Sequence, residues 1–312
     1  MMLGCQKSNF FSKELFYIIN ELISNMEQLT VDLIYFKSID GLELIGALRK
    51  SKKGNKKLII HIHGMSGDFC RGNLTKLLSK GLKHTKYDFF SINTRGAGIV
   101  NKFYGKNKKI LIGTAHEKLE ECIFDIGGAI RAGKQMGYTK FVLSGHSTGC
   151  HKVAYYQGKK QNTLVESVIL LSPCDDYNVT KNERAAKDYN KYLKLAKKMI
   201  KEKRGDEIFT IANTLYSVKR WLSFADPKNI EAQLFNYNGK MNFFSKIKQP
   251  IFVSFGSKDY FDEHNAKESL KILRNKTNSE LCVTTIVNGA EHSYKGKEKE
   301  LIIRIKDFLK IF

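Results

Sequence analysis

The chain has 312 residues, of which 42% are hydrophobic and 11% aromatic, and its formal net charge is +22. This composition excludes a disordered chain and provides for a large buried core. The lysines are spread along the chain and are not interleaved with aromatic residues, so we expect no nucleic-acid partner. The positive charge would instead attract an anionic substrate by electrostatic steering.

Six cysteines are scattered without Cys-x-x-Cys pairs, and the first residues lack the basic and apolar regions of a signal peptide. We therefore expect a cytoplasmic protein with reduced thiols. No apolar run approaches the length that spans a bilayer, so no transmembrane segment is expected. The sequence leaves the oligomeric state open.

Residues 1–30 are expected to form a helical N-terminal extension, because apolar residues recur there at helical spacing. Strands over 31–36 and 42–48 are predicted to form a hairpin around a turn that contains Asp40-Gly41. The apolar run Leu58–Ile62 then predicts a buried strand.

Buried strands and helices alternate from there to Pro173, which predicts a mainly parallel sheet with helices on both faces. The predicted strands are 88–93, the run that begins at Phe141, and 165–171, and the predicted helices are 73–81, 117–136 and 150–157. The alternation resumes later in the chain, with strands at 250–255 and 281–287 and helices at 264–273 and 298–312.

The pattern changes between residues 175 and 246, where no convincing strand occurs and apolar residues follow helical spacing. One predicted helix covers 183–203, and a second carries Trp221. We expect 175–246 to form a helical lid whose aromatic residues, including Trp221, shape a substrate pocket. The α/β core would then consist of residues 31–174 and 247–312.

The pattern Gly-x-Ser-x-Gly occurs once between a predicted strand and a predicted helix, as Gly145-His146-Ser147-Thr148-Gly149. In that context it predicts a nucleophile elbow, a sharp turn that exposes Ser147. The glycines are required because side chains at positions 145 and 149 would collide with the strained turn. Ser147 is therefore the predicted nucleophile.

A serine nucleophile needs a histidine to take its proton and an acid to orient that histidine. Asp259 follows the predicted strand 250–255, and His292 follows the last predicted strand, so both lie at carboxyl ends of strands. The chain order of serine, acid and histidine supports a triad of Ser147, Asp259 and His292. Alternative acids are Asp175, Asp176, Asp262 and Glu263.

The oxyanion of an acyl-transfer intermediate needs backbone N–H donors. One predicted donor is the N–H of Thr148, directly after the nucleophile at a helix N-terminus. The other is the N–H of Met65, in the loop after the strand that ends at Ile62, where Gly64 allows a close approach.

His61 and His63 raise the alternative of a metallo-hydrolase of the His-x-His-x-Asp type, but Met65 stands where the aspartate is needed. No other His/Cys cluster has ligand spacing, so no metal site is predicted. The turn Thr94–Gly98 lacks the Gly-Lys-Ser/Thr ending of a phosphate-binding loop, and we expect it to line the site instead.

These residues resemble the α/β-hydrolase superfamily over residues 31–312. The resemblance rests on His63-Gly64, the Ser147 pattern, Gly256-Ser257-Lys258-Asp259 and His292. It implies a mostly parallel eight-stranded sheet, no cofactor and an acyl-enzyme on Ser147.

A more specific likeness rests on Gly145–Cys150 together with Glu120-Glu121-Cys122 and Asp125-Ile126. These residues resemble a branch that includes fungal siderophore esterases and many uncharacterised proteins.

We therefore predict a serine hydrolase that cleaves a small-molecule carboxylic ester. A thioesterase, amidase, peptidase or acyltransferase would use the same triad. A catalytically idle ligand-binding protein on the same fold is the alternative from a different class, since a fold does not dictate a function.

Overall fold

The computed structural model describes residues 29–51, 54–105, 108–184, 186–209, 215–260 and 264–312. The chain divides into two compact units, residues 1–30 and residues 31–312. The helix predicted near the N-terminus falls on residues 1–28, which lie outside the described residues, and it stays a prediction.

An eight-stranded sheet forms the centre of residues 31–312. The strands in chain order are β1 Asp32–Lys37, β2 Glu43–Arg49, β3 Lys57–Ile62, β4 Tyr87–Ile92, β5 Lys102–Tyr104, β6 Lys109–Leu111, β7 Lys140–His146, β8 Val165–Leu171, β9 Ile208–Phe209, β10 Tyr216–Ser217, β11 Ile251–Gly256 and β12 Cys282–Val287. Across the large sheet the strand order is β1-β2-β4-β3-β7-β8-β11-β12. Within the large sheet, β2 pairs antiparallel with β1 and with β4, and the other pairs are parallel. The predicted mostly parallel eight-stranded sheet is confirmed.

Helices cover both faces of this sheet, and further helices lie within residues 175–246. They are α1 Asn73–Gly81, α2 Cys122–Gln135, α3 Thr148–Lys160, α4 Asp176–Val179, α5 Tyr189–Lys201, α6 Val218–Ala225, α7 Ile230–Leu234, α8 Ala266–Lys276 and α9 Glu298–Leu309. The helix predicted over 117–136 begins later than expected, as a 3-10 turn over Leu119–Glu121 that leads into α2. Across the described residues, no helix has the length and apolarity needed to cross a membrane.

The buried strands are apolar on both faces because each face has its own layer of helices. Along β7, Phe141 and Leu143 belong to the core under α2 and α3, whereas Val142 belongs to the opposite core with α1 and α9. Successive side chains of a strand point to opposite faces, so one apolar run supplies both cores.

The strand register brings several chain segments together at the carboxyl edge of the sheet. Gly145 pairs with Ile62 of β3, His146 pairs with Leu171 of β8, and Gly256 pairs with Val287 of β12. The loops that follow these strands therefore meet at one edge, which is where open α/β sheets place their sites.

The segment 175–246 contains helices α5 and α6 where two helices were predicted, together with the short helices α4 and α7, but it is not wholly helical. Two-residue strands β9 and β10 pair antiparallel within it. Trp221 is buried in a separate apolar cluster of this segment, where its ring lies 5.2 Å from that of Phe209. The hairpin of β5 and β6 was also not predicted, since strands of two or three residues carry too few positions for a period to show.

A buried ion network fixes α6 to the core. Arg220 of α6 has a fully buried side chain that pairs with Glu231 and lies 3.5 Å from Glu117, and Glu117 also lies 2.7 Å from the Nζ of Lys152. Removing one partner of such a network leaves a buried charge without compensation.

We expect Arg220→Met to lower the free energy of unfolding by about 3–5 kcal/mol, because Glu231 stays buried without its cation and Glu117 keeps only Lys152. Urea unfolding measures this change. The neighbouring Lys219→Met is the control, since Lys219 forms an exposed pair with Asp206 that is worth less than about 1 kcal/mol. Equal unfolding midpoints for the two variants would contradict the assignment.

Candidate active site

Ser147 lies at the turn between β7 and α3 with φ 54° and ψ −127°, a conformation that non-glycine residues adopt only under strain. A Cβ atom on Gly145 would collide with the backbone of Gly149, and one on Gly149 would collide with the carbonyl oxygen of Ile62. The N–H of Ser147 donates to the carbonyl oxygen of Leu171 at 2.9 Å. The predicted strand-turn-helix context of the elbow is present.

Ser147 opens into a pocket of about 540 Å³ at the carboxyl edge of the sheet. Met65, Thr148 and His292 line the same pocket, so it brings together four of the five predicted site residues. The Oγ of Ser147 lies 3.7 Å from the Sγ of Cys174, a pocket residue that is not among the predicted site residues.

Asp259, the fifth predicted residue, is not among the residues that line the pocket, but it contacts His292, which is. The Nδ1 of His292 lies 2.9 Å from Oδ1 and 3.1 Å from Oδ2 of Asp259. The Asp259 side chain is only 2% exposed and that of His292 only 12%. An Nδ1–H that donates to this carboxylate leaves the lone pair of a neutral imidazole on Nε2. The arrangement therefore fixes a tautomer whose Nε2 accepts a proton.

The alternative acids differ in their surroundings. Asp175 accepts hydrogen bonds from the backbone N–H groups of Asn178 and Tyr237, so it caps and connects chain segments. Asp176 lies beside His151, with 3.7 Å between its Oδ2 and the Nε2 of the imidazole. Residues 262 and 263 lie outside the described residues.

His146 contacts His292 directly, and no sequence pattern predicted this contact. Its Nε2–H donates to the backbone carbonyl of His292 at 2.9 Å, and the two ring centroids are 5.1 Å apart. The hydroxyl of Tyr294 donates to the carbonyl of Ser254 and accepts from Ser172, which fixes the same loop from its other side. The position of His146 inside the Gly-x-Ser-x-Gly pattern was the available signal.

Both residues predicted to supply the oxyanion donors line the pocket of Ser147. Thr148 is the first residue of α3, and the first N–H groups of a helix have no acceptor within it. A Cβ on Gly64 would lie 3.1 Å from the Cβ of Ser147, so glycine permits the close approach of this loop. The hydroxyl of Tyr216 donates to the Sδ of Met65 and so connects segment 175–246 to the loop. The oxyanion role itself stays a prediction.

Comparison with known protein families identifies the chain. Residues 44–310 match the family described as "Protein of unknown function (DUF1749)". The chain belongs to this family. That description assigns no activity to DUF1749, and a comparison with curated proteins found no match.

Solved structures establish the fold of this DUF1749 chain. Est1E from Butyrivibrio proteoclasticus, with ferulic acid bound, has TM-score 0.61 and 16% identity, over 88% of this chain and 97% of that chain. A monoglyceride lipase from Saccharomyces cerevisiae in complex with a substrate analogue has TM-score 0.62 and 17% identity, over 91% and 97%. The Pyrococcus furiosus esterase Pf2001 has TM-score 0.61 and 17% identity, over 91% of both chains.

The α/β-hydrolase fold implied by the sequence resemblance is thereby confirmed. At this level of identity the comparison establishes architecture and not activity. The more specific likeness to siderophore esterases stays a prediction.

Two sequence expectations about the pocket wall are wrong. The Thr94–Gly98 turn does not line the pocket, because Arg95 is buried in ion pairs with Asp40 and Asp125, each at 2.9 Å. Trp221 does not line it either, because its ring is buried within segment 175–246. Tyr216 is the aromatic residue that lines the pocket among the described residues of segment 175–246.

The two histidines considered as metal ligands take part in hydrogen bonds of the core. The Nδ1 of His61 lies 3.0 Å from the Oγ of Ser144. His63 bonds the carbonyl of Gly64 through Nδ1 at 2.8 Å and accepts the N–H of Thr94 on Nε2 at 3.3 Å. His63 therefore orients the loop that carries Met65.

Acid should destabilise this DUF1749 protein through its buried histidines. Burial lowers the pKa of His61 to about 3, and it lowers the pKa of His63 and of His146 to about 4. Above pH 6.5 these histidines are mostly neutral in both the folded and the unfolded chain. Below that pH the unfolded chain binds protons that the folded chain does not, until the folded pKa is reached. Each histidine should lower the free energy of unfolding by about 1.4 kcal/mol per pH unit in this window.

Urea unfolding between pH 7 and pH 5 tests this expectation, in a range where most carboxylates stay ionised. His61→Gln should reduce the slope of stability against pH, whereas the exposed His84→Gln should keep the wild-type slope. Stability that does not change across this range would contradict the assignment.

Proposed function

We propose that this protein is a serine hydrolase that cleaves carboxylic esters through an acyl-enzyme on Ser147. One observation carries the proposal. A serine held at positive φ by an elbow opens into the same pocket as a histidine whose Nδ1 is bonded to a buried carboxylate. This combination supplies a nucleophile, a base and an orienting acid, as acyl transfer requires.

In the proposed mechanism, the Nε2 of His292 takes the proton of Ser147 as its Oγ attacks the ester carbonyl. Asp259 stabilises the imidazolium through the 2.9 Å bond to Nδ1 and keeps its own charge. The N–H groups of Met65 and Thr148 bind the tetrahedral oxyanion. Losing one such donor costs about 3–4 kcal/mol in the transition state.

The tetrahedral intermediate then collapses. The bond to the leaving alkoxide breaks, His292 donates its proton to that oxygen, and the acyl group remains on Ser147. A water molecule then attacks the acyl carbonyl as His292 takes its proton. The bond from the acyl carbon to the Oγ of Ser147 breaks, His292 returns the proton to that oxygen, and the acid leaves. These steps need no cofactor, because protein groups supply every proton and charge.

We also propose residues 31–174 and 247–312 as the catalytic core and residues 175–246 as the lid. Asp176 and Tyr216 of this segment line the pocket, and the Arg220 network anchors it to the core. The ester substrates of this protein are proposed to be small molecules, as the ferulic acid bound to Est1E and the substrate analogue bound to the yeast lipase suggest.

A panel of nitrophenyl esters with short and long acyl chains tests the proposal, with a matched thioester and anilide for each acyl group. We expect ester hydrolysis by the wild type and a loss of about 10⁶-fold in kcat for His292→Ala, since the serine then lacks its base. The exposed His84→Ala is the matched control and should keep the wild-type rate.

Faster turnover of the thioester or anilide than of the ester would assign the same triad to a thioesterase or amidase. Ester hydrolysis that His292→Ala does not change would contradict the mechanism. Binding of an ester without any cleavage would identify a ligand-binding protein instead.

A further inference from the structure

A second cluster of reactive side chains lies next to Ser147. His151 comes from α3, Cys174 follows β8, and Asp176 is the first residue of α4. Their side chains are buried, with 1%, 3% and 4% of each residue exposed. One nitrogen, sulfur or oxygen atom of each lies within 4.8 Å of those of the other two.

Two atoms of this cluster are buried without a hydrogen-bond partner among the described residues. They are the Nδ1 of His151 and the Oδ2 of Asp176. An unsatisfied buried polar atom is unfavourable, so native proteins keep few of them without a functional reason or a bound ion or water. The Oδ2 of Asp176, which faces the Nε2 of His151, is the atom that an ion in the cluster would satisfy. The ring of His151 is packed edge-on against Phe235 at 5.0 Å, which fixes its orientation.

The distances from His151 and Cys174 to the Asp176 carboxylate, each to a different oxygen, are of the size of the edges of a tetrahedral metal site, and the donor atoms of all three residues lie within 4.8 Å of one another. Zinc bonds of about 2.0–2.3 Å place neighbouring ligand atoms about 3.3–3.8 Å apart. The Nε2 of His151 lies 3.7 Å from the Oδ2 of Asp176, and the Sγ of Cys174 lies 3.5 Å from its Oδ1. The Oγ of Ser147 lies 3.7 Å from the same sulfur, at the distance of a fourth ligand.

The chemistry of the donors selects a thiophilic divalent ion. A thiolate and a carboxylate together carry two negative charges, which a divalent cation neutralises, so the buried site bears no net charge when occupied. Binding displaces one proton from the Cys174 thiol. Cys174 and Asp176 line the pocket, so an ion reaches them from solvent.

We propose that His151, Cys174 and Asp176 bind one thiophilic divalent cation such as Zn²⁺, and that the bound ion blocks Ser147 by taking its hydroxyl, or a water beside it, as the fourth ligand. The inhibitory part rests on the proposed function, whereas the binding part does not. The site was not predicted from the sequence because its three residues come from three separate elements and show no ligand spacing.

Titration of chelator-treated protein with Co²⁺ tests the binding. We expect one ion per chain and a thiolate-to-cobalt charge-transfer absorption band. Cys174→Ser should abolish the band and weaken Zn²⁺ binding, measured by calorimetry, by more than about a hundredfold. That loss exceeds the effect usual for a residue outside the ligand set. Cys70→Ser is the matched control, since that thiol is exposed and does not line the pocket, and it should keep the absorption band and the Zn²⁺ affinity.

Asp176→Asn provides a second variant of nearly unchanged shape. We expect it to keep the thermal unfolding midpoint within a few degrees and to weaken Zn²⁺ binding at least tenfold. A cobalt complex without the charge-transfer band, or equal Zn²⁺ affinity in wild type and in both variants, would overturn the site.

The inhibition is measured separately, as the initial rate of ester hydrolysis against free Zn²⁺. We expect the wild-type rate to fall in proportion to calorimetric occupancy and the rate of Asp176→Asn to fall only at more than tenfold higher Zn²⁺. Zn²⁺ that occupies the site without lowering the rate would overturn the inhibitory part. If metal-free protein hydrolyses no ester, the proposed function fails, while the cobalt band still decides the metal site.

Discussion

Ser147→Ala is expected to lower kcat for ester hydrolysis by on the order of 10⁶-fold while leaving the fold intact. Alanine has no hydroxyl to attack the carbonyl, so no acyl-enzyme forms, and only substrate binding and the oxyanion donors contribute to the residual rate. Steady-state kinetics on a nitrophenyl ester, with circular dichroism to check the fold, measures the effect.

Ser293→Ala is the matched control, because this exposed serine lines the same pocket and sits next to His292. It should keep kcat within about twofold of the wild type, because Ser293 has no part in the proposed triad or oxyanion hole. A Ser147→Ala variant that retains a wild-type rate would exclude Ser147 as the nucleophile and with it the proposed mechanism.

Asp259→Asn is expected to lower kcat by on the order of 10⁴-fold with little change in the structure. The amide can donate to the Nδ1 of His292, which then holds its proton on Nε2. In that tautomer the imidazole cannot accept the proton of Ser147. Kinetics at saturating ester concentration measures kcat, and a KM close to that of the wild type would indicate that the pocket is unchanged.

Glu291→Gln removes an exposed carboxylate directly beside His292 and serves as the control for Asp259→Asn. It should leave kcat within about twofold. Equal losses of kcat in the two variants would mean that activity depends on negative charge near His292 in general, and not on the hydrogen bond from its Nδ1 to Asp259.

The elbow was predictable from sequence because its constraints are local. The positive φ of Ser147 and the collisions at Gly145 and Gly149 involve atoms within a few residues or on the adjacent strand. The strand Val165–Leu171 and the helix Asn73–Gly81 were likewise predicted with the observed bounds, because a mostly apolar run marks the strand and helical spacing of apolar residues marks the helix.

Features that depend on packing between distant segments were not predictable. The bond from His146 to the carbonyl of His292 joins residues 146 positions apart in the chain. The cluster of His151, Cys174 and Asp176 depends on how α3 and the loop after β8 approach one another.

Trp221 shows the same limit for segment 175–246. The apolar periodicity around Trp221 predicted an amphipathic helix but did not indicate what its apolar face contacts. In the structure Trp221 packs with Phe209 and Tyr189 and not against the pocket. An amphipathic pattern indicates which side of a helix is buried and leaves its partner undefined.

Labelling with a fluorophosphonate probe, followed by mapping of the modified peptide, tests the central claim most directly. We predict covalent modification at Ser147 in the wild type, none in Ser147→Ala, and a strongly reduced rate in His292→Ala, because the probe reacts only with an activated serine hydroxyl. Modification of another residue, or folded wild-type protein that neither reacts with the probe nor hydrolyses small esters, would contradict a hydrolase based on Ser147.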